Sequence, residues 1–140
     1  GEEFAQELFE VVRHNFFKNF EVDPHERFEE TLNEVNKLAL EWREKKQAKF
    51  FADMNIVIGI LQSGTLYLTQ CGTAEAYLIR KRLVSTISEG LSDNDKDREN
   101  LFVNVANGKL EDYDTVIFST SRLLRYLPKN ELAKLFTRDA

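Results

Sequence analysis

Hydrophobic positions are densest between residues 55 and 80, where much of the sequence follows the two-residue period of β-strands. Residues 55–61 form a continuous apolar run rich in β-branched side chains, which is typical of a strand buried on both faces. The next segment, residues 65–71, alternates between two faces, and a third strand is predicted over residues 74–80, with Ala76 and Leu78 on one side and Tyr77 and Ile79 on the other. Turns at Gln62-Ser63-Gly64, where Gly64 supplies the positive φ that a hairpin needs, and at Gly72-Thr73 separate the three segments, so the pattern predicts an antiparallel meander.

Two long amphipathic helices are predicted before this region. Apolar residues recur every three or four positions over residues 4–20 and again over residues 24–46, the spacing of a single helix face. Asp23 before Pro24 is typical of a helix start, because aspartate caps free backbone N–H groups and proline suits the first helical position. Two short helices are predicted near the other end of the chain, over residues 121–127 and 130–136.

Three more strands are predicted after the meander, over residues 83–88, 101–106 and 115–119. Asn107-Gly108 follows the second of them and is a strong hairpin signal, because both residue types accept the positive φ of a type I′ turn. The complete pattern predicts an α+β fold in a single domain, residues 1–140. Its antiparallel sheet is flanked by two long N-terminal helices and two short C-terminal helices.

Composition and charge narrow the classes of function. The formal net charge of −5 argues against nucleic acid or an anionic membrane surface as a partner. The longest uncharged apolar run, residues 54–61, is too short to cross a bilayer. The single cysteine, Cys71, excludes an internal disulfide and suits a reducing compartment, so we expect a cytoplasmic protein. Because the chain begins with Gly1 and not Met, we also expect it to be part of a longer protein.

One polar loop, residues 89–100, carries alternating acidic side chains at Asp93, Asp95 and Asp97. Alternating acids open an EF-hand calcium loop, which requires Gly at its sixth position and a bidentate Glu at its twelfth. Those positions are Arg98 and Asn104 here. We therefore expect a solvated loop and no calcium site.

Three segments resemble the metal-dependent protein phosphatases of type 2C. Residues 71–80, CGTAEAYLIR, are similar to the family's V-G-D-S-R-A-Y-L segment, and Ile87-Ser88-Glu89 lies where the family has L-T-x-D-H. Residues 114–123, DTVIFSTSRL, are similar to G-D-x-L-L-L-x-S-D-G-L. The order of the predicted helices also fits, so the resemblance spans nearly the whole chain. It implies a partial type 2C β-sandwich.

The resemblance breaks down at the positions that hold metal in the family. There the aspartate of S-D-G is a ligand of the two-metal centre and the aspartate of G-D-S assists an additional metal, but these positions are Thr120 and Thr73 here. In the family the D-G-x-G-G metal loop precedes the first of the two long helices and the D-N motif follows the second short helix, so we expect neither within residues 1–140. A neutral hydroxyl cannot replace a carboxylate that offsets the charge of Mg²⁺ or Mn²⁺. The resemblance thus implies a degenerate, truncated relative with no catalytic, cofactor-binding or metal-binding residue.

Three functions remain open from the sequence. The first is a catalytically inactive phosphatase-like domain, free of cofactors, that binds or regulates protein and either has a protein partner or self-associates. The second is a fragment of a divergent metal-dependent serine/threonine protein phosphatase, which would need Mg²⁺ or Mn²⁺. The third is a small α+β interaction module whose similarity to the family comes from generic hairpin patterning. The aspartates missing at positions 73 and 120 favour the first.

Overall fold

The computed structural model describes residues 2–18, 20–45, 54–91, 101–120 and 123–136. Its chain divides into two compact units. The first combines Gly1–Met54 with Asp95–Phe102, and the second combines Asn55–Asn94 with Val103–Ala140. The described residues form helices and antiparallel strands, so the predicted α+β class is confirmed. The expectation of a single domain stays a prediction.

The first unit is built on a pair of helices, α1 (Glu2–Phe16) and α2 (Pro24–Lys45). Their apolar stripes face each other, as the three-to-four-residue spacing predicts. Phe4 meets Trp42 edge to face with ring centroids 5.5 Å apart, and Phe16 meets Phe28 in the same way at 6.3 Å. The indole nitrogen of Trp42 also donates to the carboxylate of Glu7 at 2.9 Å, so a hydrogen bond joins the two helices beside the ring contact.

A buried arginine determines where α1 ends. Arg27 is only 3% exposed and donates to the carbonyl oxygens of Phe16 at 2.8 Å and Val22 at 2.9 Å. Its guanidinium carbon lies 4.6 Å from the centroid of the Phe16 ring and 5.1 Å from that of Phe20. A helix end leaves carbonyls that need donors, and Arg27 supplies one at Phe16. The predicted continuation of this helix to residue 20 is therefore wrong.

The start of α2 matches its sequence signal. A side-chain oxygen of Asp23 accepts from the backbone N–H of His25 at 3.1 Å and of Glu26 at 3.4 Å, which makes Asp23 the predicted cap. Further along α2, the amide of Asn36 exchanges two hydrogen bonds with the backbone of Phe102, at 2.9 and 3.0 Å. Asn36 thereby holds the backbone of Phe102 against α2.

The second unit contains two three-stranded antiparallel sheets. Its elements are β1 (Ile56–Gln62), β2 (Thr65–Cys71), β3 (Glu75–Arg80), β4 (Leu83–Thr86), β5 (Ala106–Lys109), β6 (Thr115–Ser119), a 3₁₀ helix (Leu123–Arg125) and α3 (Lys129–Phe136). Sheet A has the order β1-β2-β5 and sheet B the order β4-β3-β6. The predicted continuous meander is wrong, because the chain leaves one sheet for the other between β2 and β3. The helix predicted over residues 121–127 is, in its described part, a single 3₁₀ turn.

Both two-residue hairpin turns adopt positive φ at each central residue. Ser63 and Gly64 have φ of 53° and 78° between β1 and β2, and Lys81 and Arg82 have φ of 50° and 66° between β3 and β4. Positive φ at both positions is the type I′ arrangement, whose twist matches that of the strands. It fixes the register of both hairpins, with Gln62 opposite Thr65 and Arg80 opposite Leu83.

The Asn107-Gly108 pair does not form a turn. Both residues lie inside β5, which pairs with β2 from Ala106 opposite Leu68 to Lys109 opposite Thr65. The turn comes later: the backbone N–H of Asp114 donates to the carbonyl of Glu111 at 3.2 Å, with Tyr113 at φ 69°. Pairing with β2 thus outweighs the local turn preference, and the predicted strand over residues 101–106 is shifted towards the C-terminus.

The two sheets pack against each other, and α3 covers the far side of sheet B. Leu68 of β2 and Ala76 of β3 share a buried cluster with Leu91. A Cβ atom on Gly59 of β1 would lie 2.6 Å from Cζ of Phe118 on β6, so the glycine makes room for the ring. On the other side of sheet B, a second cluster joins strand residues to α3. It contains Tyr77, Ile79, Val84, Leu132 and Ala133.

β1 is deeply buried along one face and only partly covered along the other, where Val57 packs against the cluster between the sheets and Gly59 lies against Phe118, so the predicted burial on both faces is incomplete. Ile58 and Ile60 are each 7% exposed, whereas Leu61 between the buried positions and the turn is 62% exposed. The strand also lies at the edge of sheet A. No helix in the described part of the chain has both the length and the apolar composition needed to cross a membrane.

Candidate functional site

The chain changes sheets at residues 71–74, which we call the crossover. Gly72 has a φ of 70°, a left-handed conformation that glycine adopts without strain. Behind it, the buried side chain of Gln70 donates to the carbonyl oxygens of Gly72 at 3.1 Å and of Ala74 at 2.5 Å. Both bonds are donated by the amide nitrogen, and the amide oxygen of Gln70, Oε1, has no hydrogen-bond partner in the part of the chain that is described. One glutamine therefore shapes the backbone that presents Thr73.

The crossover brings three distant residues together. The backbone N–H of Thr73 donates to Oδ1 of Asn55 at 2.7 Å, and the Thr73 hydroxyl lies 2.9 Å from the same oxygen. The hydroxyl also lies 3.3 Å from the backbone carbonyl oxygen of Thr120. Asn55 stands just before β1 and Thr120 just after β6, so the site forms where an edge strand of each sheet meets the crossover. The side chains of Thr73 and Thr120 are exposed.

The donor set of this site is neutral. It offers a threonine hydroxyl, an amide oxygen and a backbone carbonyl, none of which carries charge to offset that of a divalent cation. Across residues 2–18, 20–45, 54–91, 101–120 and 123–136, no group of three or more His, Cys, Asp and Glu side chains is placed to hold a metal. The expected absence of a metal stays a prediction. Chemically, the site can exchange hydrogen bonds with a partner.

Two of these residues were singled out from the sequence and one was missed. Thr73 and Thr120 are the predicted degenerate positions, and the structure places them in direct contact. Asn55 was taken only as the first residue of a strand. The register pairs Ile56 with Cys71, which puts Asn55 beside the crossover. Strand register was therefore the signal that could have identified it.

Cys71 is buried at the end of β2, with only 3% of its surface exposed. Burial raises the pKa of its thiol to about 12, although a hydrogen bond from the backbone of Ile56 acts in the opposite direction. A thiol needs its thiolate form to attack or to bind metal. The buried, protonated thiol therefore favours a structural role for Cys71.

The other acidic and loop candidates lie elsewhere or outside the described residues. Glu75 accepts from the hydroxyl of Tyr77 at 2.5 Å, and Asp114 forms an ion pair with Arg80 at 2.7 Å. Asn104, the predicted twelfth position of the calcium-like loop, donates to the carbonyl of Gly90 at 3.0 Å. The alternating acids of that loop, Asp93, Asp95 and Asp97, lie outside the described residues.

An apolar cavity of about 220 Å³ lies between the sheets beside β5. Leucine and isoleucine side chains line it from three sides. Ala106 and Gly108 of β5 stand opposite Leu68 and Leu66, and their small size leaves the space open. The cavity is distinct from the crossover and shares no residue with it.

The chain was also compared with known proteins. Comparison with protein-family models, with curated proteins and with solved structures finds no match.

Proposed function

We propose that this chain is a catalytically inactive, type 2C phosphatase-like domain that acts by binding protein. The observation that carries the proposal is the Thr73–Asn55–Thr120 cluster. The two positions at which the resemblance implies metal-holding aspartates lie together and present only neutral oxygens. This geometry is what a metal site that has lost its carboxylates would retain.

The arrangement of sheets and helices gives a second line of support. Two three-stranded antiparallel sheets pack face to face, and a short helix covers sheet B. We take these sheets as the partial β-sandwich that the resemblance implies. The crossover between them is the counterpart of the family's V-G-D-S turn, and residues 114–123 are the counterpart of its S-D-G segment.

Chemistry argues against the divergent-phosphatase alternative. A two-metal centre stabilises the attacking and leaving oxygens of phosphoryl transfer, and it needs several carboxylate oxygens to hold both ions. The Thr73 hydroxyl is engaged with Asn55 and Thr120, and neither partner carries charge. The domain we propose uses no cofactor, is cytoplasmic and binds neither nucleic acid nor membrane. Its negative net charge of −5 supports the last point.

A turnover assay with a matched variant tests the proposal. The wild-type chain is incubated with p-nitrophenyl phosphate, and separately with a phosphothreonine peptide, in millimolar Mn²⁺ or Mg²⁺. We expect no hydrolysis above buffer. The double variant Thr73→Asp/Thr120→Asp restores both carboxylates and reports whether these two positions limit metal binding. Metal-dependent turnover by the wild type would overturn the proposal in favour of the divergent phosphatase.

A further inference from the structure

We infer that the exposed edge formed by β1 and β6 pairs with the same edge of a second copy of this chain, so that each sheet continues across a two-fold axis. The inference concerns this edge and not the Thr73–Thr120 contact. It stands whether or not the domain is a relative of the phosphatases.

The turn between β1 and β2 determines which backbone groups of β1 point outward. A two-residue type I′ turn at Ser63 and Gly64 makes the flanking pair, Gln62 and Thr65, a hydrogen-bonded pair. Such pairs alternate along an antiparallel ladder, so Ile60 and Ile58 also direct their N–H and C=O groups towards β2. The residues between them direct theirs to the open edge. These outward residues are Val57, Gly59 and Leu61.

The same reasoning applies to β6. Arg80 and Leu83 flank the type I′ turn of the other hairpin and form a hydrogen-bonded pair. Arg80 and Leu78 therefore direct their backbone N–H and C=O groups towards β4, and the residues on either side of Leu78 direct theirs towards β6. In the observed register, Val116 and Phe118 then direct their backbone groups away from β3. Gly59 and Phe118 are in contact, so the two open edges lie on the same side of the paired sheets.

Among the described residues, this edge lacks the features that protect edge strands from pairing. Natural edges are kept apart by short length, charged side chains, proline or bulges. β1 is seven residues long, and neither β1 (IVIGILQ) nor β6 (TVIFS) contains a charged residue or a proline. Leu61 and Phe118 add apolar surface beside the open backbone, at 62% and 49% exposure. β5 and β4 at the opposite edges have only four residues each.

A second copy is the occupant that this chemistry fits. In a two-fold antiparallel pair each strand faces itself, so any charge would face a like charge, and these strands carry none. Centred on Gly59, the pairing joins Val57 of each copy to Leu61 of the other and uses every outward backbone group of β1. Centred on Ile117, the β6 pairing joins Val116 to Phe118. Because the ring of Phe118, the neighbour of Ile117, lies against Gly59, we place the two centres on one axis.

Sedimentation equilibrium from micromolar to millimolar concentration tests the inference, with Leu61→Lys as the disrupting variant. Pairing would bury the new charge without a partner, so we expect the dimer dissociation constant to rise about tenfold or more. Leu83→Lys is the matched control, because Leu83 is 72% exposed on a strand at the opposite edge. It should leave the dimer unchanged. A wild-type chain that stays monomeric, an open series of larger species, or a dimer that Leu61→Lys leaves intact would each overturn the inference.

Hydrogen exchange gives a second readout that needs no variant. The amides of Val57, Gly59 and Leu61 should exchange more slowly as the concentration rises into the dimer range. The amides of Ile58 and Ile60, which face β2, provide the internal reference and should not respond. Dimerisation without any slowing at the three outward amides would also contradict the proposed edge.

Discussion

The hydroxyl of Thr73 lies 3.3 Å from the carbonyl oxygen of Thr120, although the two residues are 47 positions apart in the chain. The contact joins the crossover between the sheets to the end of β6. Asn55 completes the cluster: its Oδ1 accepts from the backbone N–H of Thr73 and lies 2.9 Å from the Thr73 hydroxyl. Three neutral residues from three parts of the chain thus form a compact site.

The ion pair between Arg80 and Asp114 gives a pH-dependent prediction. Arg80 donates to both carboxylate oxygens of Asp114, at 2.9 and 2.7 Å, and this lowers the pKa of Asp114 below its ordinary value of 3.8. A carboxylate with a depressed pKa in the folded state stabilises the fold above its unfolded pKa, and the stabilisation is lost as the pH falls through the folded value. Asp114→Asn should therefore lower the melting temperature at pH 7.

The same variant should differ progressively less from wild type as the pH falls from the ordinary pKa of 3.8 through the lower pKa of the folded state, because the unfolded chain binds the proton first and the folded Asp114 only afterwards. Asp112→Asn, at an exposed position two residues away, should match wild type at every pH. Thermal unfolding followed by circular dichroism measures all three proteins. If the difference in melting temperature between Asp114→Asn and wild type stays the same in acid, the ion pair is not the cause of that difference.

Cys71 should resist thiol reagents in the folded protein. Its thiol is buried and its pKa is raised to about 12, so almost no thiolate forms near neutral pH. We expect Ellman's reagent at pH 8 to react slowly with the native chain and rapidly in guanidinium chloride. The chain has only one cysteine, so the signal belongs to a single residue. Rapid reaction of the native chain would instead indicate an accessible, activated thiol.

Gln70 should stabilise the crossover through its two donated hydrogen bonds. Gln70→Met keeps a similar length but leaves the carbonyl oxygens of Gly72 and Ala74 without this donor. Burying such groups unpaired costs about 1–3 kcal/mol, which we expect as the loss of free energy of unfolding in urea. Gln6→Met, at an exposed position of α1, is the matched control and should change little. Equal free energies of unfolding for the two variants would show that Gln70 does not stabilise the crossover.

Arg27 should be the polar anchor of the helix pair. Arg27→Met removes a charged donor from the carbonyls of Phe16 and Val22, and hydrogen bonds to charged groups contribute about 1.5–3 kcal/mol each. We expect the free energy of unfolding to fall by an amount of that order. Urea unfolding followed by helical circular dichroism measures it. Arg13→Met is the control, because the ion pair that Arg13 forms with Glu10 within α1 is exposed to solvent. A loss no larger than that of Arg13→Met would contradict the anchoring role.

Local patterns predicted the elements well where local chemistry decides them. The capping role of Asp23 and the positive φ of Gly64 both appear in the structure as predicted, although Gln62 is the last residue of β1 and not part of the turn. Each depends on side-chain or backbone preferences within four residues. The α+β class follows from the same local periodicities, summed along the chain.

Long-range pairing explains the expectations that were wrong. Asn107-Gly108 has the strongest turn signal in its region, yet pairing with β2 holds both residues in a strand. The break between β2 and β3 changes the sheet to which each hairpin belongs, and no local pattern distinguishes a hairpin turn from a crossover. Asn55 joins the site only through register. For the site, the resemblance identified two positions, and their contact partner required the fold.

The measurement that tests the central claim most directly is a Mn²⁺ titration followed by thermal unfolding of the wild-type chain. A ligand that binds only the folded state raises the melting temperature by mass action, by an amount that grows with its concentration above the dissociation constant. Because the Thr73 and Thr120 positions offer only neutral oxygens, we predict no change in melting temperature up to millimolar Mn²⁺. A saturable rise that EDTA reverses would contradict a metal-free site.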